Sequence, residues 1–261
     1  MTTDLAPYVE TVLREQDAYR AAPPAILPRA VRSIAKPMSL LTNSLVPTEV
    51  IELAIRGADW AASASIRKDA INHDFSDIAS CDAAAAAMRR WALGYAVTGG
   101  GAAGAFGAFG LAIDIPATIA LALRTTRLTG LAYGFGADTR AERVFILDIL
   151  QLAGANSEEE RSAAIARLTK GRADLKREDW QKIVRLTGQT TGTVAATQRV
   201  AATLGVNLST RKMAQAVPFL GAAVGASVNA AFQSDVAAAA RFAYRGRWLE
   251  VNERLLEGAV G

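Results

Sequence analysis

Apolar residues recur at helical spacing along most of this chain of 261 residues. The first helix is predicted from a stripe of apolar positions that comprises Leu5, Tyr8, Val9, Val12 and Leu13. The same spacing predicts helices over 29–43, from Pro47, over 140–153, 157–170 and 180–204, and from Pro218 to about Glu257. No stretch alternates apolar and polar residues with period two, as a half-buried strand would. The predicted fold class is therefore all-α, as a single multi-helix domain.

Turn and capping residues mark the predicted helix boundaries. Thr139 with Glu142, and Ser157 with Glu160, have the spacing of a capping box, in which each side chain bonds a backbone N–H group of the other residue. Gly154 is expected to end the helix that begins after Thr139. Further boundaries are expected at the turn 133–136, in a charged link over 171–179 and near Gly246.

The least polar part of the chain is a glycine-rich run from Trp91 to Ile113, which has 23 residues and no charge. Gly99–Gly101 should interrupt its helix, because consecutive glycines are costly in a helix interior. A second bend is expected at Asp114–Pro116. The segment 213–234 has 22 residues, no charge and a similar content of small residues. Both are long enough to span a bilayer, but their composition favours two buried Gly/Ala-rich apolar helical segments.

Small residues in both segments repeat at helical spacing. Gly100, Gly104 and Gly107 fall on one helical face, and Gly221 and Gly225 are four residues apart. Such spacing lets a neighbouring backbone approach closely, in a protein core or in lipid. The first segment is flanked by cations that suit a lipid interface or ordinary solvent-facing helix ends, namely Arg89, Arg90 and Arg124.

Asp114 places a carboxylate at the end of the first run, where it is expensive to bury without a partner. One interpretation makes it an N-cap, with Pro116 in the first turn of the next helical piece. The other makes it a buried charge that meets a cation or a ligand head group. Arg124 lies about 15 Å further along a continuous helix, so a partner would come from another helix. The candidate ligand-binding residues are Asp114, Arg124, Gly104, Gly107, Gly221, Gly225 and Asn229.

Composition narrows the possible chemistry. The net charge of +4 is a mild basic excess, and the basic cluster 170–177 lacks interleaved aromatic residues, so no nucleic-acid partner is predicted. A single cysteine, Cys81, and a single histidine, His73 in a polar stretch expected at the surface, predict no metal site and no catalytic residue. Residues 99–104 match G-x-G-x-x-G without the strands of a dinucleotide fold, so no cofactor is predicted. The N-terminal residues lack the features of a secretory signal, which favours a cytoplasmic location.

Two blocks of the sequence resemble the EcsC protein family. The first spans 110–150 and has the family's order of Asp114 and Pro116, Leu123-Arg124, Tyr133-Gly134 and Glu142-Arg143. The second, within 212–235, is similar to the family's Pro-x-x-Gly-Ala-x-x-Gly-x-x-x-Asn segment, at Pro218, Gly221, Ala222, Gly225 and Asn229. The resemblance covers about 29–250. It implies an EcsC-like helical domain over 29–261, preceded by an N-terminal helix and Pro-rich link over 1–28.

The leading functional hypothesis is a non-enzymatic protein, cytoplasmic or peripheral at the inner face of the membrane. It would bind lipid or dock on a membrane through its Gly-rich apolar helices. One alternative is a lipid or peptide hydrolase that uses Asp114 as a general acid or base with a raised pKa. The other is an accessory partner of an ABC-type membrane transporter, which the resemblance implies because the family is named after a protein encoded beside one.

Overall fold

The fold is an all-α single domain, as predicted. The computed structural model describes residues 5–24, 52, 55–57, 72–104, 107–136, 139–176, 194–203 and 221–252. The side chains of 98–104, 107–115 and 221–227 lie outside that description. The helices are α1 (Leu5–Ala21), α2 (Ile78–Gly104), α3 (Gly107–Ala132), α4 (Arg140–Gly154), α5 (Glu158–Lys176) and α6 (Gly221–Val251), and residues 194–203 are also helical.

The helix α6 is the centre of the described structure. It packs most extensively on α2 and then on α3 and α4, with smaller contacts to α1 and α5. Its buried stripe includes Phe232, Val236, Ala240 and Tyr244, at steps of four residues. Alanine dominates the rest of that stripe, which lets neighbouring helices approach closely.

The helices α2 and α3 form an antiparallel hairpin. Only residues 105–106 separate them, and they pack against each other. The side chain of Arg124 in α3 lies over the ring of Trp91 in α2, and Tyr133, just after α3, bonds Asp82 near the start of α2. These two contacts fix the relative direction of the pair, because they join later residues of α3 to earlier residues of α2.

The helix α6 is antiparallel to α2. Arg89 donates to Ser234 at 3.0 Å, while Asp82, seven residues earlier, bonds Arg245, eleven residues later. The C-terminal end of α2 and the N-terminal ends of α3 and α6 therefore lie at the same end of the bundle. We call this the glycine-rich end, since the two segments singled out from the sequence meet there.

Several predicted boundaries are confirmed. The Thr139 hydroxyl accepts from the backbone N–H of Glu142 and caps α4, and the Ser157 hydroxyl accepts from that of Glu160 at the start of α5. Gly154 ends α4. The predicted turn 133–136 contains Gly134 at a φ of +80°, a left-handed conformation that glycine adopts without strain.

The break expected at Gly99–Gly101 is wrong, and the bend expected at Asp114–Pro116 does not interrupt α3. The helix α2 continues through Gly99–Gly101 to Gly104, and α3 continues through Asp114 and Pro116. Asp114 is therefore not an N-cap, because it lies inside a helix that begins seven residues earlier. The proline costs about 3 kcal/mol in a helix interior, but burial of Thr118, Ile119 and the following turns against neighbouring helices offsets it.

The break expected near Gly246 is also wrong, and so is the link over 171–176, where α5 continues. A Cβ atom at position 246 would lie 1.9 Å from Nη1 of Arg172. Arg172 is buried, and its Nε lies 3.1 Å from Oε1 of Glu250. Gly246 thus gives the α5 arginine room to cross α6 rather than ending the helix.

The first helix, α1, contacts α6 through few side chains. Gln16 donates to the carbonyl of Phe242 at 3.1 Å, and the ring of Tyr19 stacks on that of Phe242 at 4.6 Å. The helices predicted over 29–43 and from Pro47, and most of the one over 180–204, fall on residues outside the description. The domain division at residue 28 therefore stays a prediction.

Candidate functional site

The predicted ligand-binding glycines lie at the ends of the helices that meet at the glycine-rich end. Gly104 ends α2, Gly107 begins α3, and Gly221 begins α6 with Gly225 one turn later. Asp114 lies two turns into α3. Their side-chain surroundings are outside the description, so the ligand contact of Asp114 and the hydrolase alternative stay predictions.

Asn229 lies in a buried polar seam between α3 and α6. Its Oδ1 accepts from the hydroxyl of Thr118 at 3.4 Å. One turn later, Gln233 donates to the carbonyl of Thr118 at 3.1 Å, and Thr125 donates to the amide oxygen of Gln233 at 3.5 Å. Buried amides need such partners, and these fix the register of α6 on α3. In the described residues, Asn229 thus has a structural role.

Arg124 lies on a different face of α3. Its guanidinium carbon is 5.2 Å from the centre of the Trp91 ring, a cation–π contact between α3 and α2. Thr118 and Thr125, seven residues apart, face α6, whereas Arg124 is rotated about 100° away from Thr125. The structure therefore separates Arg124 from Asn229, and the polar pocket that would combine them is not formed by their described contacts.

The solvent-facing side of α2 is small, apolar and cationic. The exposed residues between 78 and 97 are Ala83, Ala86, Arg89, Arg90, Gly94, Tyr95 and Val97, which we call the α2 face. Tyr95 is 59% exposed and Val97 is 50% exposed, next to the glycine-rich end. The Tyr95 ring contacts the half-buried Trp91 ring at 4.7 Å. A face with two arginines and no acidic residue differs from the mixed charges of ordinary solvated helices.

Asp82 holds the most densely bonded polar cluster in the described residues, at the opposite end of the bundle. Arg245 donates to both of its oxygens, at 2.9 Å from Nε and 2.5 Å from Nη2. Tyr8 donates to it at 2.7 Å, and Tyr133 is a further donor. Asp82 is 5% exposed and Arg245 is 3% exposed, so this bidentate pair is buried.

A second carboxylate extends the Asp82 cluster to the surface. Glu15 of α1 accepts from Arg245 at 2.5 Å and from Arg241 at 3.1 Å. The cluster therefore joins α1, α2, α6 and the turn after α3. Nearby, the Trp248 indole donates to the carbonyl of Phe75 at 2.7 Å. This hydrogen bond joins α6 to the residues just before α2.

The electrostatics of the Asp82 cluster keep its members in fixed protonation states. Burial and the hydrogen bond to Asp82 raise the pKa of Tyr8 to about 12, and burial with the Asp82 charge raises that of Tyr133 further. Burial alone would lower the pKa of Arg245, but its hydrogen bonds to Asp82 and Glu15 raise it. Near neutral pH the two tyrosines therefore stay protonated and the arginine stays charged. Such groups suit a structural role, in which they hold helices together, better than proton transfer.

The Asp82 cluster was missed because its members are far apart in the sequence, with Asp82 and Arg245 separated by 163 residues. One signal was available. Asp82 is the only acidic residue of α2, and it lies on the buried stripe with Ile78 and Ala85. A lone carboxylate on a buried apolar stripe is stable only with a partner such as a cation. The sequence of α6 has two arginines one turn apart, Arg241 and Arg245, that could supply it.

One neighbour of the Asp82 cluster departs from expectation, and another keeps a packing role. His73, predicted at the surface, is half-buried, and its Nε2 lies 2.8 Å from the carbonyl oxygen of Ala132. Cys81 is buried, and burial together with the Asp82 charge raises the pKa of its thiol to about 12. A thiol with a raised pKa is a poor nucleophile, so Cys81 has a packing role here.

Asp148 of α4 is a second buried carboxylate with looser partners. Its Oδ1 lies 3.8 Å from Nε of Arg167 in α5 and 3.7 Å from Nη2 of Arg199 in the helical segment 194–203. Both distances are long for charge-assisted hydrogen bonds, which are usually about 2.7–2.9 Å. Burial raises the pKa of Asp148, although the two arginine charges act in the opposite direction.

Replacing Asp148 with Asn should raise the Tm by a few degrees at neutral pH. A raised carboxyl pKa means that the folded state binds more protons than the unfolded chain, so stability falls as pH rises through the window between the two pKa values. The neutral amide avoids that loss, and Arg167 and Arg199 stay partly solvated without the carboxylate. Thermal unfolding should show the gain at pH 7 and none below about pH 3.9, the unfolded pKa. A lower Tm for the variant at pH 7 would contradict this.

Two absences among the described residues limit the kinds of site they can form. No three His, Cys, Asp or Glu side chains among them are grouped closely enough to hold a metal ion. Of the helices in the described ranges, none combines the length and the hydropathy that are needed to cross a membrane.

Comparison with known proteins extends the sequence resemblance. A model of the EcsC protein family matches residues 12–249. The uncharacterized protein YdbA of Bacillus subtilis (strain 168) is 29% identical over 158 residues, which are 60% of this chain and 53% of that protein. The chain thus spans about half the length of this curated relative. No solved structure matches the chain.

Proposed function

We propose that this chain, which belongs to the EcsC protein family, docks on anionic membranes through the α2 face and the adjoining glycine-rich end. The observation that carries the proposal is the composition of the α2 face. Tyr95 and Val97 expose more than a third of their surface there, two arginines lie one or two turns away, and no acid interrupts the face. Arginine next to exposed aromatic and apolar side chains suits the boundary between lipid head groups and acyl chains.

The arrangement of the α2 face suits a membrane surface. Arg90, Gly94 and Val97 lie at i, i+4 and i+7 on one helical line, and Tyr95 lies at the edge of the face, about 100° around the helix from Gly94 and against the Trp91 ring. An aromatic residue is favoured at the head-group level, and each arginine near an anionic surface contributes about 1 kcal/mol. The protein would therefore lie on the membrane, with the Asp82 cluster at the far end holding the bundle closed.

The proposal is tested by flotation of the purified protein with vesicles. Binding to vesicles of phosphatidylglycerol and phosphatidylcholine should exceed binding to phosphatidylcholine alone. The double change Tyr95→Ser with Val97→Ser should weaken binding about tenfold or more, because two exposed apolar side chains lose their burial in lipid.

The matched control removes equally exposed apolar side chains elsewhere. Leu13 is 48% exposed and Val251 is 57% exposed, so Leu13→Ser with Val251→Ser should leave flotation unchanged. Equal losses in both double variants would reject the α2 face. Flotation with native membranes but not with pure lipid would mean that this face binds a membrane protein, such as a transporter, and the lipid proposal would be wrong.

A further inference from the structure

A cavity of about 220 Å³ opens between α4, α5 and the helical segment 194–203. Val144, Phe145 and Leu175 form an apolar wall within its lining. Gly171 lets α5 pack closely on the Phe145 ring, since a Cβ atom at this position would lie 3.3 Å from that ring. An apolar cavity of about 150 Å³ is known to hold benzene, so this one has room for a molecule of roughly ten heavy atoms. It is small for a lipid chain, since ligand pockets usually exceed about 300 Å³.

The lining of the cavity is also strongly cationic. Arg167, Lys170 and Arg199, which we call the cation triad, line it together with Asp148. Three cations and one carboxylate leave two positive charges when all are ionised. Oδ1 of Asp148 lies 3.8 Å from Nε of Arg167 and 3.7 Å from Nη2 of Arg199. These distances are too long for short hydrogen bonds, so the N–H groups of both arginines can donate to a ligand.

We propose that this cavity binds the phosphate group of a small phosphate monoester, held by the cation triad. A phosphate monoester carries nearly two negative charges at neutral pH, which match the excess charge of the cavity, and guanidinium groups recognise phosphate oxygens in a planar, paired geometry. Asp148 accepts a hydrogen bond from a hydroxyl of the same molecule. The apolar wall covers its carbon atoms. This site is separate from the α2 face, so each proposal can fail alone.

Isothermal titration calorimetry with sn-glycerol 3-phosphate tests the site. The phosphate ester should bind the purified protein, and glycerol should not. Lys170→Gln is the first variant, because Lys170 is exposed and its removal leaves both arginine approaches to Asp148 in place. It should weaken binding roughly tenfold or more, the usual effect of losing a charged hydrogen-bond donor. Arg199→Gln should do the same, with circular dichroism to verify folding.

The matched control is Arg14→Gln, which removes one positive charge from an exposed position on α1 and should leave binding unchanged. A second arm uses vesicles of phosphatidic acid in the Tyr95→Ser, Val97→Ser background. Residual flotation that Lys170→Gln abolishes would assign the phosphate to a lipid head group instead of a soluble ester. Absence of both heat and residual flotation, or affinities unaffected by Lys170→Gln and Arg199→Gln, would overturn the site.

Discussion

Replacing Asp82 with Ala is expected to lower the free energy of unfolding by about 3 to 5 kcal/mol, as measured by urea unfolding followed by circular dichroism. The change removes a carboxylate that accepts five hydrogen bonds from four side chains. It leaves Arg245, which is 3% exposed, with only the surface carboxylate of Glu15 as an ion-pair partner in the cluster. A buried charge without compensation costs more than the loss of the bonds alone.

Two further variants identify the cause of the Asp82 effect. Asp17→Ala removes a carboxylate that is 77% exposed and pairs with Arg20 at 3.6 Å, and should cost less than about 0.5 kcal/mol. Asp82→Leu combined with Arg245→Leu removes both buried charges and should be more stable than Asp82→Ala alone. A loss below about 1 kcal/mol for Asp82→Ala would mean that water reaches Arg245 and that the cluster is open.

Gly130→Ala and Gly94→Ala are expected to change stability in opposite directions. A Cβ atom at position 130 would lie 2.7 Å from Cζ of Tyr244. That ring is 1% exposed and packs against Phe135 and Phe145, so it has little room to move. Gly130→Ala should therefore lower the free energy of unfolding by about 1 to 3 kcal/mol. At Gly94, nothing lies within 4 Å of an added Cβ atom. Because alanine favours the helix more than glycine does, Gly94→Ala should raise the free energy of unfolding by up to about 1 kcal/mol.

Urea unfolding of the two alanine variants measures both signs in one experiment. If the Tyr244 ring causes the loss, Gly130→Ala should cost less in a Tyr244→Leu background than in the wild type. A gain in stability for Gly130→Ala would show that α3 and α6 separate readily at this crossing. Equal losses for both glycines would point to a shared backbone cause and contradict the assignment to Tyr244.

Local signals in the sequence predicted the local features of this fold. The helical periodicity, the caps at Thr139 and Ser157 and the end of α4 at Gly154 depend on residues within a few positions of one another. Such features arise from backbone hydrogen bonds and side-chain spacing that any isolated segment would share. The family assignment was predictable for the same reason, because its two blocks are contiguous in the sequence.

The glycine positions were misread because their meaning depends on what lies opposite. A glycine in a helix interior lowers the stability of that helix. The run 99–101 and the single Gly246 were therefore expected to interrupt helices. At Gly246 the opposing group is the Arg172 guanidinium, which only a residue without a side chain can admit. At 99–101 the helix belongs to a hairpin whose partners supply the packing energy. Arg172 lies on a different helix from Gly246 and far from it in the sequence.

The candidate site was predictable only in part. The direction of the helices brings the glycine-bearing ends of the two segments to the same end of the bundle. Asn229 and Arg124, however, satisfy different neighbours, and the Asp82 cluster and the cation triad each combine residues from distant helices. Pairings between residues on different helices depend on the tertiary arrangement, which spacing along the chain does not encode.

The central position of α6 has a consequence for synthesis on the ribosome. Most of the other described helices pack on α6, yet its residues 221–251 follow all of theirs in the sequence. Before those residues emerge, Asp82 lacks Arg245, and the apolar stripes of α2, α3 and α4 lack the surface that covers them. The nascent chain must therefore remain open, and available to chaperones, until its final long helix has left the exit tunnel.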